Sequence, residues 1–306
     1  MHAASVSFQW YQTNGTGLAV DPAAIVEATL SASDADLDYG GARLTFDRLV
    51  DPSRSVADVA AQIDHMTQAV RKLAGSSATP DATIAALRRF LYVDGPWNDG
   101  RAFAYDHADP LGQRIENKLL ATYFATRRGN CVSMPALFLI LADRLGLDVA
   151  LVTAPLHIFL RYRSESGRIV NIEASNGGHP TRDAWYREQM PMSDRAVESG
   201  LYLRSLSKRE GLALLATTVL EHLIARRRFE AALAVSTIIL RHAPRDGYTM
   251  VKQGSVYAGM IEAEFGARYP TAALIPPPQK ARYDMLLRQN RAAFEAAEAL
   301  GWEQIA

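Results

Sequence analysis

The chain has 306 residues, of which 48% are hydrophobic and 22% charged, and its formal net charge is zero. These values are typical of a globular protein that buries a full core, as two domains or as one domain with a helical extension. The neutral charge without a basic stripe argues against nucleic-acid binding, and no apolar run approaches the length of a membrane span.

Residues 1–20 are polar and are expected to form a flexible arm. No basic segment followed by an apolar one occurs there, so this sequence shows no signal peptide. We therefore expect a cytoplasmic location by default, and a periplasmic or secreted one if a signal peptide has been removed.

Capping residues and apolar spacing predict three helices in the next part of the chain, at about 21–32, 55–75 and 81–92. Residues 93–110 read as irregular and contain Trp97 and Tyr105, which could line the mouth of a site. A further helix is predicted over residues 111–127, leading directly into the only cysteine.

That cysteine, Cys131, directly precedes an apolar run at helical spacing that ends near Gly146. The start of a helix has unpaired N–H groups and a partial positive charge, which favour thiolate over thiol. Because the thiolate is the nucleophile, this position suits a reactive cysteine. The alternative is a cysteine that simply packs in the core, as free cysteines often do.

A strand over residues 149–153 follows, then His157 and a turn at 164–167, and then a strand over 169–173. Alternation along the second strand places Asn171 and Glu173 on the same face. If the hairpin closes at that turn, His157 lies near the level of Glu173. The sequence thus predicts a nucleophile, a base and a carboxylate that orients the base, as in thiol hydrolases and acyltransferases.

Four blocks in this order resemble the core of the transglutaminase-like superfamily, namely RGNCVSMPALF, ADRLGL, PLHIFLR and NIEA. The resemblance is closest to bacterial transglutaminase-like domains that are often joined to tetratricopeptide repeats, and it covers roughly residues 80–185. It implies an α+β fold with a papain-like arrangement of cysteine, histidine and carboxylate.

The resemblance also implies roles, with Cys131 as nucleophile and His157 as base. Glu173 stands where the family usually has aspartate, and because glutamate is one methylene longer, Asn171 remains a rival for the orienting role.

An acyl-transfer site also needs donors for the developing oxyanion. The backbone N–H of Cys131 is the natural first donor, and the second could come from Asn130, Trp97 or Tyr105. A helix cap is the preferred interpretation of Asn130. No pair of His, Cys or carboxylate residues has metal-ligand spacing on a convincing element, so we expect no metal and no cofactor.

Beyond residue 185 the segment 185–194 reads as a connection, and helices are then predicted at 208–225, 228–242, 246–265 and 279–299. Their spacing loosely resembles tetratricopeptide repeats, which are about 34 residues long. We therefore divide the chain into an arm over 1–20, a transglutaminase-like core over 21–185 and an all-α extension over 186–306.

Two functions fit these observations. The first is a thiol enzyme that attacks an amide of a protein or peptide through a Cys131 thioester, as a protease, amidase, deamidase or transglutaminase. The second is an inactive scaffold whose helical extension recruits a protein partner.

Overall fold

A computed structural model describes residues 21–110 and 112–304 of the chain. These residues form an α+β fold in which helical parts flank a small sheet, as the sequence predicted. The predicted arm over residues 1–20 lies outside the described residues.

The first helices are α1 (Pro22–Leu30), α2 (Tyr39–Val50), α3 (Val56–Ala74) and α4 (Pro80–Tyr92). Asp21, Ser55 and Thr79 cap α1, α3 and α4 through their side chains, which confirms the three helices predicted there.

Helix α2 was not predicted, since its first turn contains Gly40 and Gly41, and glycine disfavours a helix. Its first turn is stabilised by the Asp38 carboxylate, which accepts both of these glycine N–H groups at 2.9 and 2.8 Å.

The prediction of a single helix over residues 111–127 is wrong. The structure has a 3₁₀ helix (Ile115–Lys118) and a short helix α5 (Leu120–Thr126) instead. The Asp109 carboxylate accepts the N–H groups of Gln113 and Arg114, which fixes a turn where a regular helix would have to begin. Strands β1 (Ala104–Tyr105) and β2 (Arg128–Gly129) then pair in parallel, which places Tyr105 opposite Gly129.

Helix α6 (Ser133–Arg144) is the centre of the core, and every residue from Ser133 to Ala142 is buried. It is followed by a four-stranded antiparallel sheet in sequential order, with β3 (Val149–Ala154), β4 (His157–Arg163), β5 (Ile169–Glu173) and β6 (His179–Thr181). The predicted hairpin is confirmed, with Leu160 paired to Ile172 and Arg161 to Asn171.

One face of this sheet joins the main core, and the other has a small apolar cluster of its own. Phe159 and Val152 belong to this cluster, together with Tyr186 and Leu203. Tyr186 comes from helix α7 (Asp183–Gln189), which is followed by α8 (Asp194–Glu198). The prediction of a plain connection over 185–194 is therefore wrong, because helix α7 covers residues 185–189 and α8 begins at Asp194.

The chain continues with α9 (Lys208–Ala225), α10 (Phe229–His242), α11 (Gly247–Ile261) and α12 (Pro277–Ala299). These helices match the predicted positions, and one buried apolar cluster includes residues of both α2 and α9. The fully buried Arg43 of α2 joins the two parts, because it donates to Thr218 of α9 and to the carbonyl of Lys118. No helix of the described residues is long and apolar enough to cross a membrane.

Candidate active site

Cys131 lies between strand β2 and helix α6, two residues before the helix begins, and its side chain is half-buried. The turn around it is held by its neighbours Asn130 and Ser133. The Oδ1 atom of Asn130 accepts the backbone N–H groups of Val132 at 3.0 Å and Ser133 at 3.1 Å. In return, the Ser133 hydroxyl accepts the N–H of Asn130 at 3.1 Å. Asn130 thus acts as a cap for the first turn of α6.

The backbone N–H groups of Asn130 and Val132, on either side of Cys131, are therefore both hydrogen-bonded. The N–H of Cys131 itself has no acceptor among the described residues. A free N–H beside a thiol has the position that an oxyanion donor requires.

The turn before His157 brings the imidazole to the thiol. Ala154 and His157 form the last pair of the β3–β4 hairpin, so Pro155 and Leu156 alone connect the strands. Leu156 has a φ of 54°, in the left-handed region that a leucine rarely adopts. Its carbonyl oxygen lies 3.9 Å from the Sγ of Cys131. Its side chain is 70% exposed.

His157 lies between Cys131 and Glu173. Its Nε2 atom is 2.7 Å from the Oε2 atom of Glu173, so Nδ1 is the ring nitrogen left to hydrogen-bond the Cys131 thiol. Burial lowers the pKa of His157, but hydrogen bonds and charge interactions with Cys131 and Glu173 outweigh burial and raise the pKa to about 9. The imidazole is therefore protonated at neutral pH.

Glu173 is buried at the end of β5 and accepts four hydrogen bonds. Oε2 accepts hydrogen bonds from Nε2 of His157 at 2.7 Å and from the Tyr186 hydroxyl at 2.8 Å. Oε1 accepts hydrogen bonds from the backbone N–H of Ser175 at 3.0 Å and from the Ser175 hydroxyl at 2.6 Å. Burial raises the pKa of Glu173, but the bonds from His157, Ser175 and Tyr186 and the charge of His157 outweigh it, so the pKa stays below its usual value.

Asn171 is occupied elsewhere on the same face of the sheet. Its Oδ1 atom accepts from Arg161 at 2.7 Å, and its Nδ2 donates to Asp183 at 2.6 Å. Arg161 completes the group with a 2.6 Å ion pair to Asp183. Asn171 therefore anchors helix α7, and the group that contacts His157 is Glu173.

The three side chains considered as oxyanion donors are placed differently. The indole N–H of Trp97 donates to the carbonyls of Arg89 and Val93, at the end of α4. The Tyr105 hydroxyl donates to the carbonyl of Pro110 at 2.5 Å. The amide of Asn130 is fully buried. Trp97 and Tyr105 thus use their donors elsewhere, whereas the Nδ2 of Asn130 has no hydrogen-bond partner among the described residues.

Tyr105 is nevertheless close to the site. Burial raises its pKa, and Cys131 and Glu173 are among the groups whose negative charge raises it further. Its strand partner Gly129 is separated from Cys131 by Asn130 alone.

Three contributors to this site were missed by the sequence analysis, namely Leu156, Ser175 and Tyr186. The sequence contains a signal for Ser175, because a serine two residues after a carboxylate residue can donate a local hydrogen bond to that carboxylate. Leu156 had a weaker signal in its position after Pro155, which favours a turn. Tyr186 depends on a long-range contact that no local pattern shows.

Comparisons with known proteins identify the family of the chain. A family model described as the transglutaminase-like superfamily matches residues 57–216, a stretch that includes Cys131, His157 and Glu173. Protein SirB1 of Salmonella typhimurium is 26% identical over 221 residues, which cover 71% of this chain and 77% of that protein. UPF0162 protein BU173 of Buchnera aphidicola is 26% identical over 214 residues, covering 68% of this chain and 73% of that protein. UPF0162 protein YchA of Escherichia coli is 28% identical over 138 residues, covering 43% of this chain and 49% of that protein. No solved structure gives a significant match.

Proposed function

The chain belongs to the transglutaminase-like superfamily, and on that basis we propose that it is a thiol-dependent amide hydrolase or acyltransferase working through a Cys131 thioester. The observation that carries the proposal is the position of His157, which contacts the thiol through one side of its ring and Glu173 through the other. The remaining groups of the site support this arrangement.

In the first step the Cys131 thiolate attacks the carbonyl carbon of an amide, and the carbonyl π electrons move to the oxygen. The free N–H of Cys131 stabilises the oxyanion that forms. When the carbonyl re-forms, the C–N bond breaks. The His157 imidazolium gives its Nδ1 proton to the leaving nitrogen, which departs as a neutral amine and leaves a thioester.

In the second step neutral His157 takes a proton from an incoming water as the water attacks the thioester. The C–S bond then breaks, a carboxylic acid leaves, and the thiolate–imidazolium pair is restored. An amine in place of water would give a new amide, which is transglutaminase chemistry. Hydrolysis is the preferred outcome, because water is always present.

Glu173 keeps the ring in position through both steps and stabilises its positive charge. We propose that the amide belongs to a protein or a peptide. Leu156 beside the thiol is 70% exposed, so the rim of the site is open to a large substrate.

The test uses 4-nitrophenyl acetate, an activated ester that acetylates reactive thiols. We expect a burst of nitrophenolate and an acetyl group on Cys131, located by peptide mass spectrometry. Adding a primary amine during turnover then separates hydrolysis from acyl transfer, since only transfer yields an acetylated amine.

The variants Cys131→Ser and His157→Gln should abolish the burst, and Glu173→Gln should slow it at least tenfold, as for loss of about 1.4 kcal/mol of stabilisation. His65→Gln is the matched control, because His65 is exposed on helix α3. Absence of acetylation in wild type, or equal acetylation in wild type and His157→Gln, would contradict the enzyme and favour the scaffold with a recruiting helical extension.

A further inference from the structure

Tyr186 is the only buried residue of helix α7, and its side chain is fully buried. The other residues of α7 are exposed, so this helix contributes to the apolar interior through one side chain alone. The Tyr186 ring stacks on Phe159 of β4, with centroids 3.9 Å apart and planes within 14°.

The hydroxyl of Tyr186 points at the proposed site. It donates to Oε2 of Glu173 at 2.8 Å, and the same oxygen receives Nε2 of His157 at 2.7 Å. A phenylalanine would stack equally well on Phe159, so the hydroxyl is the part of Tyr186 that packing does not explain. A buried tyrosine hydroxyl needs a partner, and here the partner is the carboxylate that holds the imidazole.

Helix α7 holds this hydroxyl firmly, because its first residue is tied to the sheet. Asp183 accepts hydrogen bonds from Arg161 and Asn171, both at 2.6 Å. Arg161 and Asn171 are paired across strands β4 and β5, the strands that also carry His157 and Glu173. The helix and the site are therefore positioned by the same two strands.

We propose that Tyr186 is a positioning residue of the thiol site, whose hydroxyl keeps Glu173 ionised and aligned with His157. The inference rests on the proposed function, since it assigns a support to the thiolate–imidazolium pair. A carboxylate has about four lone-pair positions. In Glu173 they are filled by His157, Tyr186 and the two donors of Ser175. The carboxylate therefore cannot turn away from His157 without losing a bond.

Other titratable groups also face Glu173 from the elements around it. They are His157 of β4, His179 of β6 (the strand partner of Glu173), Tyr186 of α7, Tyr92 of α4 and Tyr105 of β1. Burial is the main cause that raises the pKa of each of the three tyrosines. The tyrosines are therefore neutral over the acidic and neutral range, and His157 is the cation that contacts the Glu173 carboxylate.

The consequence appears at acidic pH. When Glu173 takes up a proton, it becomes a weaker acceptor for the Nε2–H of His157, so the imidazolium is held less firmly in line with the thiolate. The rate of Cys131 alkylation should therefore fall, as pH decreases, in the range where Glu173 takes up its proton. We call this part of the pH profile the acidic limb. A hydrogen bond to a charged group contributes enough to move a pKa by about one unit.

The experiment measures the rate of Cys131 alkylation by iodoacetamide against pH in wild type and Tyr186→Phe. We expect the acidic limb of Tyr186→Phe to shift upward by roughly one pH unit. Tyr162→Phe is the matched control. Its hydroxyl also donates to a carboxylate, Asp81, at 2.6 Å, but on the opposite face of strand β4. The Tyr162→Phe variant should be less stable than wild type, but the acidic limb of its alkylation profile should coincide with that of wild type.

A second variant keeps the test decisive if Tyr186→Phe does not fold. Replacing Tyr186 with 3-fluorotyrosine keeps the shape and makes the hydroxyl a stronger donor, so the limb should move to lower pH. If wild type reacts at acidic pH and the acidic limb of either variant coincides with that of wild type, the positioning role of Tyr186 is overturned and the proposed function stays intact. A wild type without acidic reactivity overturns both.

Discussion

The Nε2 atom of His157 lies 2.7 Å from the Oε2 atom of Glu173, and the two side chains are only 11% and 4% exposed. This contact occupies Nε2, which leaves Nδ1 as the ring nitrogen for the interaction of His157 with Cys131. Shielding from water makes the charge interaction stronger than it would be at the surface. The sequence placed these two residues at about the same level of one hairpin, and the structure brings them into direct contact.

The contribution of Glu173 to folding should depend on pH. Its pKa is lowered in the folded protein, so its stabilising effect is complete above the unfolded value of 4.5 and is lost as pH falls through the folded value. We expect Glu173→Gln to cost about 1.5–3 kcal/mol near neutral pH and progressively less below about pH 4. Urea unfolding of both proteins at several pH values measures this difference.

A Cys131→Ser background makes that comparison cleaner, because it removes the thiol from the titration. In the acidic range His157 is protonated in both the folded and the unfolded chain, so Glu173 dominates the difference. A cost of Glu173→Gln that stayed constant down to pH 3 would contradict this account.

Asn130→Ala should be unusually destabilising for a small polar side chain. It removes the acceptor of the Val132 and Ser133 N–H groups at a fully buried position. We expect a loss of about 2–3 kcal/mol in urea unfolding, because buried donors are left unpaired.

Ser55→Ala is the control, as it removes an exposed helix cap from α3 and should cost about 1 kcal/mol. If Asn130→Ala cost no more than Ser55→Ala, the capping contacts beside Cys131 would not have the importance assigned to them.

Leu156→Gly should stabilise the protein slightly. The left-handed φ of 54° costs a leucine about 1–2 kcal/mol, whereas the greater freedom of glycine in the unfolded chain costs about 0.5–1 kcal/mol. A net gain of about 0.5 kcal/mol is expected. Leu274→Gly is the counterpart, because Leu274 is 59% exposed but lies in a 3₁₀ helix with ordinary backbone angles.

Leu274→Gly should lower the melting temperature and Leu156→Gly should raise it. Equal losses in the two variants would show that the turn before His157 stores no backbone strain.

Asn171→Ala separates the two residues that competed for the orienting role. Because Asn171 bonds Arg161 and Asp183, its loss should weaken the anchor of α7 and leave the pH profile of Cys131 alkylation unchanged. Arg161 still pairs with Asp183 in this variant, so the helix remains attached. A profile displaced as far as that of Glu173→Gln would return Asn171 to the orienting role.

Local patterns predicted the parts of the fold that depend on local chemistry. Helix α9 was placed correctly, since it begins with a capping box of Ser207 and Glu210, and the hairpin that carries His157 has a regular turn. The order of Cys131, His157 and Glu173 along the chain was enough to propose that the three meet.

Long-range contacts account for what was missed. Helix α2 has two glycines in its first turn and buries Arg43. Burial of this guanidinium is possible because it forms an ion pair with Asp47 and donates hydrogen bonds to Thr218 and to the Lys118 carbonyl. Tyr186 lies in a helix that is otherwise exposed, and it reaches Glu173 only when α7 folds back on the sheet. Neither arrangement leaves a periodic pattern in the sequence.

Cys131 and His157 are proposed to form a thiolate–imidazolium pair, on which the proposed chemistry depends. The most direct test is the rate of Cys131 alkylation by iodoacetamide from about pH 4 to 9, in wild type and His157→Ala. We predict fast reaction in wild type that persists well into the acidic range, and a large loss of that acidic reactivity in His157→Ala. A wild-type rate that rises only near the free-thiol pKa of about 8.5, with no change in His157→Ala, would show that Cys131 and His157 form no such pair.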